Sequence, residues 1–144
     1  MARVLIVDDD EAFRDALADA VRDLGHDVRE AASGREGDAA AAEGGIDAVI
    51  LDLRMPGMDG LEVLRRIRAR PAPPPVVILT AHAAAANTIE AMRLGAVDHL
   101  TKPIASSDLR RALDLMLAHR AADAAPAPAV ADDLVGSSAA MRAV

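Results

Sequence analysis

Residues 4–10 read VLIVDDD: four apolar residues without alternation run straight into three carboxylates. A run of Val, Leu and Ile with no polar face reads as a strand buried on both sides, as in a parallel sheet. The arrangement recurs in AVILD at 48–52 and VVILT at 76–80, where strands from Ala48 to Leu51 and from Val76 to Leu79 lead into Asp52 and Thr80. Weaker strands fit Asp27 to Ala31 and Val97 to Thr101. Helical spacing fills the intervals. Asp10 caps a segment with Phe13, Leu17, Val21 and Leu24 on one face, ending at Gly25. Ser33 with Glu36, and Asp59 with Glu62, have the spacing of a capping box. A fourth helix spans about Ala84 to Leu94 and closes at Gly95; Ser106 opens the last, with Leu109, Leu113 and Met116 inward.

Strand and helix thus alternate five times over about 120 residues, the pattern of a parallel sheet with helices on both faces. The right-handed crossover rule leaves few topologies. The expected fold is α/β and flavodoxin-like, a doubly wound sheet of order 2-1-3-4-5 with five helices, whose first and third strands meet at the switch point.

The chain has 144 residues and a net charge of −7, enough length for one domain with its own core. Without cysteine there is neither a disulfide framework nor a Cys-based zinc site. MARVLIVDDD lacks the cationic start and long apolar run of a signal peptide, and apolar stretches are too short to span a bilayer, so the expectation is a cytoplasmic chain with no membrane partner. Acidic balance and a single aromatic, Phe13, argue against direct nucleic-acid binding. Ala makes up about a quarter of the residues, and 15 of the 16 basic residues are Arg, the exception being Lys102.

In open parallel sheets ligands bind beyond the carboxyl ends of the strands, at the switch point. There the predicted order brings Asp8 or Asp9 together with Asp52. Two carboxylates about 4 Å apart repel by roughly 4 kcal/mol at an effective dielectric of about 20, so the cluster invites a cation. All-oxygen ligands suit Mg²⁺. Strands four and five deliver Thr80 and Lys102 to the same edge. A carboxylate nucleophile, a hydroxyl donor and a compact ammonium beside a metal form a set suited to phosphoryl transfer. Helix capping alone accounts for Asp10; it does not account for Asp52, Thr80 and Lys102 converging.

The segments VLIVDDD, VILDLRMPGMDGLEVLRRIR, VVILTAH and GAVDHLTKPI resemble the receiver domain of two-component response regulators over residues 1–120. The resemblance implies that Asp52 takes a phosphoryl group from a cognate histidine kinase. It implies that Asp9, Asp52 and the backbone carbonyl of Arg54 ligate Mg²⁺, with Asp8 acting through water. Thr80 and Lys102 would each bond a phosphoryl oxygen, Pro56 and Gly57 would shape the loop over the site, and the bond before Pro103 would be cis. Phosphorylation would draw in Thr80 and remake the surface of the fourth helix, fifth strand and fifth helix. Two positions depart from the family: His99 replaces the usual Tyr or Phe of the switch, and Ile104 replaces a common Phe. A haloacid dehalogenase-like phosphatase uses similar groups, but its D-x-D-x-T/V pattern is not met by VDDDEAF. A pseudo-receiver, which only binds partners, would lack an acidic or Lys position, and none is missing.

Alternating Ala and Pro after Arg120 read as a linker over 121–131. Residues 132–144, DDLVGSSAAMRAV, resemble the opening of the AAA+ ATPase domain in NtrC-type activators that work with the alternative sigma factor. The expectation is a receiver truncated just inside that domain, with no phosphate loop and no DNA-binding domain in this chain. Leu115 and Leu117, beside the inner stripe of the last helix, are candidates for a homodimer interface.

Overall fold

A computed structural model describes residues 2–54, 59–81 and 86–124. Five strands, β1 (Arg3–Val7), β2 (Asp27–Ala31), β3 (Ala48–Asp52), β4 (Val76–Thr80) and β5 (Asp98–Thr101), alternate with five helices. The helices are α1 (Glu11–Asp23), α2 (Gly34–Glu43), α3 (Gly60–Arg68), α4 (Ala86–Arg93) and α5 (Ser106–Ala124). All strand pairs are parallel and the order is β2-β1-β3-β4-β5, as the alternation predicts.

The unalternating runs are buried on both faces. Leu5, Val7, Val49, Leu51 and Ile78 face α2, α3 and α4, meeting Ala40, Val63, Leu64, Ile67 and Ala91. Val4, Ile6, Ile50, Val77 and Leu79 face α1 and α5, meeting Leu17, Val21, Leu109, Leu113 and Met116. Burying a Val, Leu or Ile side chain contributes about 1.5–3 kcal/mol, so the central strands dominate cohesion. α2 lies close enough to β1 that a Cβ on Gly37 would fall 2.8 Å from a Val7 methyl.

The caps form with one change of detail. Asp10, Ser33 and Asp59 accept from the backbone N–H of Phe13, Glu36 and Glu62 at 3.2, 3.1 and 2.9 Å. The side chains of the two boxes do not return to the cap residue itself. Glu36 accepts from the N–H of Ala32 at 3.0 Å, and Glu62 accepts from Arg66 Nε one turn on at 3.1 Å, where a charged donor outbids a backbone one.

β3 and β4 each run one residue beyond the apolar stretch, so Asp52 and Thr80 are the last residues of their strands. α5 crosses the expected boundary at 120 and continues to Ala124. Ala is the strongest helix former, and the first residue that opposes continuation is Pro126, which disfavours helix at the residue before it. The loop positions Pro56 and Gly57, the start of the fourth helix at 84–85, the rest of the linker and the tail 132–144 lie outside the described residues.

Candidate functional site

The register builds a staircase at the carboxyl edge. Val7 is level with Leu51, so Asp8 and Asp52 leave the sheet side by side. Asp52 is level with Leu79, and Thr80 with Thr101, which sets Thr80 and Lys102 one step further along. The Lys102 N–H donates to the Thr80 carbonyl at 2.9 Å, and the Lys102–Pro103 bond is cis.

Asp8 is fully buried and both its oxygens are engaged. Oδ1 accepts from the Asp10 N–H at 2.9 Å, and Oδ2 from Lys102 Nζ at 3.0 Å. Asp52 is also buried; its Oδ1 accepts from the Arg54 N–H at 3.0 Å and its Oδ2 from Lys102 Nζ at 3.4 Å. Asp9 is exposed. Oxygens of Asp8, Asp9 and Asp52 lie within 4.8 Å of one another, close enough to share one cation. Three hard oxygen donors, one facing water, fit Mg²⁺, which retains part of its hydration shell.

Burial pushes the Asp52 carboxyl up to about 6, and the neighbouring Asp8 charge adds to this, against the opposing pull of the Arg54 N–H and Lys102. At neutral pH the buried Asp52 carboxyl is therefore largely ionised, at a cost to the fold. Burial draws the Lys102 ammonium down, but Asp8 and Asp52 together outweigh it and hold the amine above its ordinary value.

Thr80 is buried, and its hydroxyl accepts from Thr88 of α4 at 3.0 Å. The structure therefore brings Asp8, Asp9, Asp52 and Lys102 into one cluster, with Thr80 on the same edge. His99 lies on β5, its side chain partly exposed and its Nδ1 3.6 Å from Asp98.

Three contributors escape a reading of motifs alone. Thr88 ties Thr80 to α4. Arg14 donates to the Asp8 backbone carbonyl at 2.8 Å while pairing with Glu30 at 3.0 Å, which steadies the acidic loop. The Phe13 ring lies under Lys102, with Nζ 4.4 Å from its centroid. The capping pattern points to Asp10 but carries no signal for Arg14 or Thr88. Phe13 was legible only as part of a helix face.

Two hollows, of 480 and 420 Å³, share Leu24, Arg110 and Asp114 in their lining. Among the described residues no helix is long and apolar enough to cross a membrane.

The model of the response regulator receiver domain matches residues 4–114. The chain is 38% identical over 115 residues to the transcriptional regulatory protein QseB of Escherichia coli O157:H7, covering 80% of this chain and 52% of that protein. It is 37% identical over 142 residues to the transcriptional regulatory protein ZraR of Escherichia coli K12, covering 96% of this chain and 32% of that protein. The chain thus spans about half the length of the first relative and a third of the second. A solved structure of the receiver domain of sensor histidine kinase PA1611 from Pseudomonas aeruginosa PAO1, with magnesium in its active-site cleft, superposes with a TM-score of 0.76. That match has 28% identity and covers 81% of this chain and 98% of the other. Sheet order, edge geometry and these likenesses agree: the chain belongs to the response regulator receiver domain family.

Proposed function

We propose that this receiver accepts a phosphoryl group from a cognate histidine kinase onto Asp52 and passes the change to a transcription-activating output. The observation that carries the reading is the buried Asp52 carboxylate, raised to about 6, grouped with Asp8 and Asp9 and sharing the Lys102 ammonium with Asp8. An Asp52 oxygen attacks phosphorus; the phosphorus–nitrogen bond of the kinase phosphohistidine breaks, and its electron pair returns to the imidazole, which takes up a proton. The products are an aspartyl phosphate and free histidine. When bound, Mg²⁺ would neutralise charge on the equatorial phosphoryl oxygens. Asp9, Asp52 and the Arg54 carbonyl would hold it, with Asp8 acting through water. Lys102 stabilises one phosphoryl oxygen and Thr80 another.

The added charge draws on donors. Thr80 reaches the phosphoryl oxygen at the expense of its bond to Thr88, so α4 receives the signal. Leu115 and Leu117 of α5, the first exposed and the second half-buried, supply a homodimer surface together with Ile89 and Met92 of α4, the other exposed large apolar residues among those described. Self-directed phosphotransfer and slow loss of the phosphoryl group are the only catalysis in this reading, set in the cytoplasm. Residues 1–120 belong to the receiver, whose last helix continues to Ala124 into the expected linker of 121–131, and residues 132–144 are the opening of an AAA+ domain. Alignment with ZraR over 142 residues, well past the receiver, supports the last assignment and the sigma-factor activator origin.

The test is fluorine NMR with beryllofluoride, which mimics an aspartyl phosphate. A bound signal that requires both Mg²⁺ and Asp52 is expected. Binding without Mg²⁺, or unchanged in Asp52→Asn, contradicts the reading.

A further inference from the structure

The chain contains a single lysine and a single Phe, Tyr or Trp side chain, and these two residues touch. Lys102 Nζ stands 4.4 Å from the Phe13 ring centroid while donating to Asp8 at 3.0 Å and to Asp52 at 3.4 Å. The ammonium is therefore in contact with two carboxylates and with the ring.

Carboxylates alone would pull a flexible lysine down between them, where its charge cancels that of Asp52. The quadrupole of an aromatic ring attracts a cation over its face, and the attraction grows when the pair is partly desolvated. Lys102 is 28% exposed at its side chain, so the ring acts on a cation that water reaches only in part. Phe13 is itself well placed to resist displacement. Its backbone N–H is fixed by the Asp10 cap at 3.2 Å, and its ring packs on the α1 and α5 side of the core.

We propose that Phe13 is a positioning residue for Lys102: it holds the ammonium at the mouth of the site, where a phosphoryl oxygen arrives, and so raises the rate of phosphorylation at Asp52. This rests on the phosphoacceptor reading above. Leu and Met at the same position would keep the apolar packing and lose the quadrupole, whereas Tyr would keep both.

Two measurements on the whole chain test it. The first uses protein labelled with carbon-13 lysine, in which the single lysine produces one set of side-chain signals. Protons held over an aromatic ring resonate upfield, so the Lys102 ε protons are expected upfield in wild type and in Phe13→Tyr, and near the free-lysine position in Phe13→Leu. An identical shift in wild type and Phe13→Leu would overturn the contact. The second follows phosphorylation by acetyl phosphate with Mg²⁺, in which the phosphorus–oxygen bond breaks and acetate leaves. Phe13→Leu and Phe13→Met are expected to slow it about three- to tenfold, the range of one cation–ring interaction, with Phe13→Tyr close to wild type. In a Lys102→Ala background Phe13→Leu is expected to cost nothing more, a result that a purely structural role for Phe13 would not produce. Wild-type rates in Phe13→Leu, or equal costs with and without Lys102, overturn the proposal. Absence of phosphorylation in wild type removes the phosphoacceptor reading instead, and the lysine spectrum tells these failures apart.

Discussion

Asp52 illustrates what it costs a fold to bury a carboxylate at a sheet edge. Its carboxyl is pushed from 3.8 to about 6 in the fold, so the folded chain holds that proton more tightly than the unfolded one. The resulting stabilisation is full below about pH 3.8, falls as the pH rises toward 6, and is absent above it. Metal-free Asp52→Asn is therefore expected to be more stable than wild type at pH 7.5, by up to about 3 kcal/mol, with the gap closing toward pH 4. Urea unfolding at the two pH values measures it. Added Mg²⁺ should raise the midpoint of wild type and leave Asp52→Asn nearly unchanged. At this scale the carboxylates and the lysine were legible in the sequence, because acidic residues ending buried strands and one Lys among many Arg are local facts. The Phe13 ring beneath Lys102 and the Thr88 hydroxyl on Thr80 were not. Each joins residues of different elements through distances no spacing rule encodes.

Among the elements, strands were the easiest to read. Continuous Val, Ile and Leu runs have no alternative home in a chain this short, and their ends fell within one residue. Helix ends read well where a side chain caps them, at Asp10, Ser33 and Asp59. They read less well where only composition speaks, as for α5, which runs on through Ala-rich sequence toward Pro126. Gly60 shows a tight junction that its position after the Asp59 cap only hints at. A Cβ there would overlap the Leu53 Cα and lie 2.6 Å from the Asp52 carbonyl oxygen, both backbone atoms that cannot turn aside. Gly60→Ala gains up to about 1 kcal/mol of helix propensity, but overpacking typically costs about 1–3 kcal/mol. The expected result is a net lower unfolding midpoint and slower phosphorylation, since the start of α3 presses directly on the strand end that carries Asp52. Unfolding and phosphorylation measured on the same preparation check both.

The whole molecule divides its helices by face: α1 and α5 cover one side of the sheet, α2, α3 and α4 the other. β5 closes the edge between α4 and α5. The exposed Ile89, Met92 and Leu115 lie on the two helices flanking that strand, so a change at Thr80 has a short route, through Thr88, to an apolar surface. Sedimentation velocity with beryllofluoride and Mg²⁺ is expected to show wild type shifting toward dimer and Ile89→Glu remaining monomeric, while both bind beryllofluoride equally. The account as a whole stands on one chemical event at one oxygen. Intact-mass spectrometry after treatment with acetyl phosphate and Mg²⁺ reads it directly. The account predicts the mass of a single phosphoryl group on wild type and none on Asp52→Ala; no adduct on wild type, or the same adduct on both, would contradict it.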